Sequence, residues 1–446
     1  MLQLHLKFFE RNTMKALKLS LAAAIAATSL TSLNAATALE ESLKDIDVGG
    51  VLRYRYDSYR TKDVGPQEDS QNHKIRAQVG AKGYLSDNIA AVGVIDYNYD
   101  GNANDSGFGP GSKANTGESF HLREAYVQYE APDFGTTIKA GRQQLNTIWT
   151  DNGIEGSVGM KGQIFNNSIK GLTLTAFAVD SVNDDPDFVG SDISKVVYTP
   201  YTNNTLKDFI FAQNIYGAAG LLDYAEDFGV TGGLWLAYVP NRATLYAVDG
   251  AYSYTFANNI TWGIQGQYLG NSVDNFLENA LGPNTIKNGN LFTVAGTLEA
   301  FGFDGSLGYT QYGNKTHTTF NVLEDMGDII TAGEEIQNLT GSSLHGSLGK
   351  NQFVFGALGY TIADKVRLGV DYVYGGTKID NGFNTGLGKG AAGKKQEIVG
   401  RINYQYTDKL EFYTHYSYVT HKNQSGIYEG NKLKQNNIRL QAKYEF

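Results

Sequence analysis

The sequence predicts a transmembrane antiparallel β-barrel of about eighteen strands, and three observations support this fold class. The 446 residues include 53 Gly, 29 Tyr and 22 Phe but only 7 Pro, which is a β-rich composition. Segments of alternating apolar and polar side chains recur along the chain, although its mean hydropathy is only −0.32. The chain ends in such a segment, with Ile438, Leu440, Ala442, Tyr444 and Phe446 on one face and polar residues on the other.

The last strand is predicted to close the barrel against the first one. Tyr444 and Phe446 form the predicted membrane-insertion signal, because an aromatic residue that ends an alternating strand is typical of bacterial outer-membrane barrels. The apolar face would contact lipid and the charged face would line a watery lumen. The predicted location is therefore the bacterial outer membrane.

Residues 1–36 are predicted to be a secretory signal peptide. An apolar run at Leu17–Leu33 follows two lysines and precedes the A-x-A pattern Ala36-Thr37-Ala38. Met14 is an alternative start, because the first thirteen residues do not fit this scheme. A transmembrane anchor is disfavoured because the run is short. Residues 37–446 then form a single barrel domain.

The first predicted strand shows why a membrane barrel is favoured over a soluble sheet. Its apolar face carries Leu52, Tyr54 and Tyr56, whereas Arg53, Arg55 and Asp57 lie on the other face. A soluble core accepts neither set easily, but lipid on one side and water on the other accept both.

Short and longer connections alternate between the predicted strands, as in outer-membrane barrels. The predicted short turns lie near residues 86–88, 131–135, 166–170, 225–229, 256–259, 301–303, 362–364 and 407–409. The other connections lie near 59–72, 100–118, 144–157, 181–208, 240–243, 271–289, 315–349, 376–395 and 421–435. These seventeen connections give eighteen strands, with sixteen or twenty as alternatives.

Charge and cysteine content restrict the partners. The full chain has a net charge of −9, and the mature chain is more acidic because residues 1–36 carry four basic side chains and one acidic one. This balance argues against nucleic acid. Cysteine is absent, which excludes disulfides and thiolate metal sites. The expected partners are membrane lipid, lipopolysaccharide, the barrel-assembly machinery and small hydrophilic solutes.

Several segments resemble the major outer membrane protein porins of campylobacter-like bacteria. These segments are Leu39–Asp57 (LEESLKDIDVGGVLRYRYD), Phe165–Ser181 (FNNSIKGLTLTAFAVDS) and Leu440–Phe446 (LQAKYEF), and Arg123–Gln143 is similar to porin strand pairs more widely. The resemblance implies an eighteen-stranded homotrimeric pore whose third external loop folds inward.

The third loop, predicted at Gln144–Ser157, is the expected pore constriction, with Trp149, Asp151 and Glu155 as its candidate residues. An ordinary surface loop is the alternative. Charged residues on the lumenal faces of the strands are expected to line the pore or to balance one another: Arg53, Arg55, Lys74, Arg76, Asp96, Glu124, Arg142, Arg367 and Arg401. We expect Asp151 and Glu155 to face the arginines of the first two strands across the passage.

No cofactor is expected. Asp100, Asn102, Asn104 and Asp105 offer oxygen ligands at a spacing like that of a calcium loop, but the later Glu of an EF-hand loop is missing. A solvated loop is the preferred interpretation, and a structural Ca²⁺ ion is the alternative.

The function predicted from these features is passive diffusion of small hydrophilic solutes and ions through a water-filled pore, with a modest cation preference. An enzyme is disfavoured, because the histidines are scattered without a recognisable cluster. Two alternatives stay open: a channel selective for one class of small organic solutes, and an adhesin or phage receptor that acts through its long external loops.

Overall fold

The computed structural model describes residues 46–62, 68–102, 120–182, 213–281, 286–339, 341–380, 391–423, 430 and 432–446. Eighteen antiparallel strands in this part of the chain form one closed barrel, which confirms the predicted fold class and strand number. Each barrel strand pairs with its neighbours in sequence, and β20 pairs with β1. Closure leaves no free sheet edge to face lipid.

The barrel strands are β1 (Asp47–Lys62), β2 (Glu68–Ser86), β3 (Ile89–Asn102), β4 (His121–Ala131), β5 (Thr136–Gln144), β6 (Val158–Ile169), β7 (Leu172–Val182), β8 (Ile215–Tyr224), β9 (Val230–Val239), β10 (Ala243–Thr255), β11 (Thr261–Val273), β12 (Asn290–Ala300), β13 (Phe303–Tyr312), β16 (Lys350–Ile362), β17 (Val366–Lys378), β18 (Gly393–Thr407), β19 (Leu410–Asn423) and β20 (Lys432–Glu445). Two further strands, β14 (Thr318–Thr319) and β15 (Ser347–Leu348), pair with each other inside one loop.

Helical segments are short in the described ranges. They are the α-helices Ala225–Phe228 and Asn275–Leu281 and the 3₁₀ helices Pro132–Phe134 and Ile336–Asn338. No helix within these ranges is both long enough and apolar enough to cross a membrane.

The barrel closes at the seam between β1 and β20, where the chain end is held by Gly50. The amide of Gly50 donates to the carbonyl of Phe446 over 3.1 Å, and the amide of Phe446 donates back to Gly50 over 3.1 Å. A Cβ atom at position 50 would lie 2.7 Å from the Phe446 ring, so glycine is required for this close approach. Tyr444 stacks on Phe446 with ring centroids 5.9 Å apart.

The two faces of the barrel differ as the alternation predicts. Outward side chains such as Leu52, Leu234 and Leu440 are exposed, whereas inward charged side chains such as Arg53 and Asp96 are buried against one another and against loops. The barrel therefore presents an apolar outer surface to lipid and keeps its ionic groups inside.

The inside of the barrel is partly filled by an external loop between β13 and β16, which we call the seventh loop (residues 313–349). Its apolar side chains Phe320, Val322 and Ile336 are fully buried, and they belong to one cluster with Phe353 and Val373 of the barrel strands. The sequence predicted a long external connection here but not its insertion. Burial of these apolar groups favours docking in the lumen over exposure to water.

Candidate functional site

The third loop (residues 145–157) connects β5 to β6, and it places an acidic side chain on the inner wall. Glu155 accepts hydrogen bonds from Arg53 Nη2 at 2.6 Å and from Arg55 Nη1 at 3.0 Å. Arg76 Nη1 lies 3.9 Å from the same carboxylate. Burial by itself raises the pKa of Glu155, but the hydrogen bond from Arg53 and the charges of Arg55 and Arg53 outweigh it. The pKa of Glu155 therefore lies well below its usual value.

The arginines converge because of strand alternation and register. Arg53 and Arg55 are two residues apart in β1 and share its inner face, and Arg53 pairs directly with Arg76 of β2. Like charges this close need acidic partners. Arg55 Nε lies 3.1 Å from Asp57. Arg76 donates to Asp96 through Nε at 3.2 Å and through Nη2 at 2.7 Å.

The backbone of the third loop is held on both sides of Glu155. Gln78 Nε2 donates to the carbonyl of Ile154 at 2.9 Å, and Arg123 Nη2 donates to the carbonyl of Gly156 at 2.5 Å. Arg123 reaches the loop through a β-bulge: Val94 of β3 pairs with Glu124, and the next pair skips Arg123. This extra residue turns the buried Arg123 side chain towards the loop.

The seventh loop holds the other side of the third loop. Glu324 accepts hydrogen bonds from the amide of Asp151 at 3.0 Å and from both the amide and the hydroxyl of Ser157 at 2.7 Å. The amide of Leu323 also donates to the carbonyl of Trp149 at 2.8 Å. Burial raises the pKa of Glu324 to about 7, although the hydrogen bonds from Ser157 and Asp151 oppose the shift.

The far part of the seventh loop is anchored by one carboxylate of β18. Glu397 accepts hydrogen bonds from three successive amides, those of Glu334 at 2.9 Å, Glu335 at 3.0 Å and Ile336 at 3.1 Å, and one from the Ser417 hydroxyl at 2.6 Å. Four donors satisfy a buried carboxylate that has no cationic partner in these contacts. The anchor fixes the loop across the inner wall.

Together these contacts form a belt of ionic side chains around part of the inner wall. On one side Arg401 bonds both Asp371 and Glu334. On the other side the ionic contacts run from Arg439 through Asp57 and Arg55 to Glu155. Glu155 also contacts Arg53 and Arg76, and Arg76 bonds Asp96. Because the belt follows the inner wall where solutes would pass, it is the candidate functional site.

Comparison with known proteins identifies the family. The family model described as Campylobacter major outer membrane protein matches residues 14–446. The chain belongs to this family. No curated protein matches it. As a member of the Campylobacter major outer membrane protein family, it is an outer-membrane protein, and its closed barrel is a porin-type channel fold.

Solved structures with the same fold come from other bacteria. Pseudomonas aeruginosa OpdQ superposes with a TM-score of 0.63 at 13% identity, covering 90% of this chain and 99% of that one. P. aeruginosa OprD gives a TM-score of 0.62 at 14% identity, covering 90% and 95%. Acinetobacter baumannii OccAB4 gives 0.62 at 11%, covering 90% and 98%. Identities this low establish the shared fold only.

In this Campylobacter-family barrel, the third-loop candidates occupy different environments. Trp149 is only 1% exposed and packs edge-to-face on Trp235, with ring centroids 6.2 Å apart, so it supports the loop and does not line a passage. Asp151 is half-buried, and its Oδ1 accepts the Gly153 amide at 2.7 Å. Glu155 lies directly on the arginines, whereas we expected it to face them across the passage.

Most of the predicted pore-lining residues lie on the inner face. Lys74 pairs in register with Arg55, and Asp96 bonds Arg76. Glu124 accepts the amide of Gln144 at 3.3 Å. Arg367 donates through Nε to Asp304 at 2.9 Å, and Arg401 donates through Nε to Asp371 at 3.0 Å. Asp96, Arg367 and Arg401 are therefore wall groups paired with opposite charges.

Arg142 differs from the expected position. It pairs with Met160 of β6, which is exposed on the outer face, and the alternation from Ile138 places Arg142 on that same face. Its Nε donates to the backbone carbonyls of Leu122 at 3.2 Å and Arg123 at 2.9 Å. Arg123, which the bulge turns inward, occupies the position that we expected for Arg142.

The calcium candidate falls mostly outside the described residues. Asp100 and Asn102 lie at the end of β3, whereas Asn104 and Asp105 belong to the segment that is not described. Within the described ranges, no group of three or more His, Asp and Glu side chains is arranged to hold a metal ion.

Proposed function

We propose that this outer-membrane channel mediates passive diffusion of small hydrophilic solutes and ions, with a modest cation preference. The observation that carries the proposal is a charged loop docked against the inner wall of a closed barrel, where the Glu155 side chain is partly exposed. An eighteen-strand barrel alone encloses an aqueous lumen, and inserted loops reduce its cross-section.

The relative exposure of the belt supports the cation preference. The Glu155 side chain is 40% exposed, whereas those of Arg53, Arg55 and Arg76 are only 5%, 9% and 6% exposed. The carboxylate thus lies between the arginines and the water of the lumen, and the half-buried Asp151 adds a second negative charge nearby. A narrow passage with low-dielectric walls strengthens the field of such charges.

Reversal potentials in a salt gradient test the cation preference. Replacing Asp151 and Glu155 together, by Asn and Gln, should shift the reversal potential towards anions, because the carboxylates disappear and the arginine charges remain. The shift should be larger at 0.1 M salt, where the Debye length is about 10 Å, than at 1 M, where it is about 3 Å. An unchanged selectivity and conductance at low salt would contradict the assignment.

Single-channel recording with solutes of graded size distinguishes diffusion from selective transport. Passive diffusion predicts a current that does not saturate with solute concentration, and a gradual fall in permeation with solute size. The alternative, a channel for one class of organic solutes, predicts block by one ligand at low concentration. A folded protein that does not conduct would instead favour the adhesin or phage-receptor alternative.

We also propose that the channel assembles as a homotrimer, as the family resemblance implies. Native mass spectrometry of the detergent-solubilised protein tests this state directly, since a monomer and a trimer differ threefold in mass.

A further inference from the structure

The contacts of Glu155 resemble those of a bound ligand in a receptor. Its two carboxylate oxygens are bonded by different arginines, Oε1 by Arg53 and Oε2 by Arg55, with Arg76 at 3.9 Å. The receptor side chains belong to barrel strands, whereas Glu155 belongs to a loop. Guanidinium groups bind carboxylates strongly because their N–H donors match the spacing and charge of the two oxygens.

Arg55 and Arg76 have acidic partners besides Glu155. Arg55 Nε lies 3.1 Å from Asp57, which is itself bonded by Arg439 Nε at 2.6 Å. Asp96 fixes Arg76 through two hydrogen bonds. Since these partners belong to strands, Arg55 and Arg76 should keep their positions when Glu155 is absent.

Arg53 is the member that depends most on Glu155. Among the described residues its one ion pair is with Glu155, and its buried Nε has no hydrogen-bond partner there. Removing the Glu155 carboxylate would therefore leave a 95% buried guanidinium without its anion, which is a costly state. Without the Glu155 carboxylate, the arginine site should therefore bind another anion strongly.

The Glu155 side chain can exchange while the loop backbone stays in place. Gln78 and Arg123 bond the carbonyls of Ile154 and Gly156, so the backbone on either side of Glu155 has its own anchors. The side chain is 40% exposed to the lumen, and rotation about its χ angles would release the arginines without unfolding the loop.

We propose that Arg53, Arg55 and Arg76 form a carboxylate-binding site on the pore wall, which Glu155 occupies in cis and which carboxylate-bearing solutes occupy by displacing it. We expect carboxylates as ligands because the group that already occupies the site, the Glu155 side chain, is a carboxylate. The inference rests on the proposed channel function for the route by which solutes reach the site, and it adds a solute class to that function.

Chemical rescue by acetate tests the site without relying on conduction. In Glu155→Ala, acetate should raise the temperature of thermal unfolding in detergent, whereas sodium chloride at the same ionic strength should not. Half of the effect should be reached at an acetate concentration at least about tenfold lower than for any effect on the unmodified protein, which corresponds to about 1.4 kcal/mol of binding free energy. If the alanine variant refolds poorly, its refolding yield against acetate concentration is the readout.

Two variants serve as controls. Asp151→Ala removes a carboxylate of the same loop whose side chain bonds the Gly153 amide, so acetate should not stabilise it. The double variant Glu155→Ala with Arg53→Gln removes part of the receptor, so the acetate effect should be lost. Acetate stabilisation that is equal in all variants, or absent from Glu155→Ala, would overturn the proposed site.

Planar-bilayer recording then separates this inference from the channel function itself. Acetate should reduce the current through Glu155→Ala at concentrations that leave the unmodified channel unaffected. If the unmodified protein conducts but the two respond equally to acetate, the site is refuted and the channel function stands. If the folded unmodified protein does not conduct, the channel function is refuted, whatever the rescue experiment gives.

Discussion

The outward facing of Leu440 makes a quantitative prediction about the membrane. Leu440 is 47% exposed and pairs with Tyr56 of β1 and Thr414 of β19. Replacing it by Arg places a charge on the apolar surface, while its neighbour Gln441, which pairs with Arg55, faces the lumen. The two positions are adjacent in sequence, but the side chain of Leu440 faces lipid and that of Gln441 faces the water of the lumen.

The expected magnitude follows from the depth of Leu440. Tyr444, four residues further along β20, belongs to the aromatic end of the barrel with Phe446. Four residues span about 14 Å along a strand, which is about 10 Å along the membrane normal at a tilt of about 40°. Because the apolar band is about 25 Å tall, Leu440 lies near the midplane, where an Arg should cost about 2–4 kcal/mol.

Folded fractions in lipid vesicles over a urea titration measure this cost. Gln441→Arg should lose less than about 1 kcal/mol, because lumenal water solvates the charge and salt screens its repulsion from Arg55. Tyr444→Arg, near the interface, should also lose only about 0–1 kcal/mol. Comparable losses for Leu440→Arg and Gln441→Arg would refute the assigned facing of β20 and the lipid-exposed surface with it.

Two further predictions concern assembly and pH. Deleting Phe446 should lower outer-membrane insertion without blocking export, because it removes the backbone pair with Gly50 and the terminal aromatic ring; normal surface levels in a protease-shaving assay would argue against this role. Burial raises the pKa of Glu324 from 4.5 to about 7, so the folded protein binds more protons than the unfolded chain between these values, and stability should fall as the pH rises through this window. Glu324→Gln should reduce that slope by up to about 1.4 kcal/mol per pH unit, as measured by urea unfolding from pH 4 to pH 8, and an unchanged slope would exclude this titration. Glu335→Gln should reduce the slope over the same pH window, because burial also raises the pKa of Glu335 to about 7.

The barrel was predictable because its strands repeat one simple pattern. Alternation in β1 places Arg53 and Arg55 inside and Leu52 and Tyr54 outside, and the structure has both sets in those positions. Short turns were recognisable from their polar residues, and the count of connections gave the correct number of strands. Local periodicity predicts which side chains face outward because each strand contacts lipid on one face and the lumen on the other.

Alternation fails where a single residue is inserted into a strand. The bulge at Arg123 turns that side chain inward, whereas Arg142 follows the regular alternation of β5 and lies on the outer face. A shift of one residue exchanges the two faces, and nothing in the local sequence marks the site of the extra residue.

Alternation also could not predict that the third and seventh loops dock inside the barrel. Buried Phe320, Val322 and Leu323 of the seventh loop are apolar residues in a connection that the sequence predicted as external and polar, and this mismatch was the available signal. The contact of Glu155 with the arginines depends on the path of the third loop across the wall. Opposite charges in a sequence do not reveal whether they face each other or touch.

Thiol modification of the third loop tests the central claim, that this loop narrows a conducting pore, most directly. Asn152 is exposed at the tip of the loop, and the chain contains no Cys, so Asn152→Cys introduces a single reactive thiol. A bulky thiol reagent added during single-channel recording should lower the conductance of Asn152→Cys and leave the unmodified protein unaffected. Complete labelling, verified by mass spectrometry, with no change in conductance would contradict a constriction at the third loop.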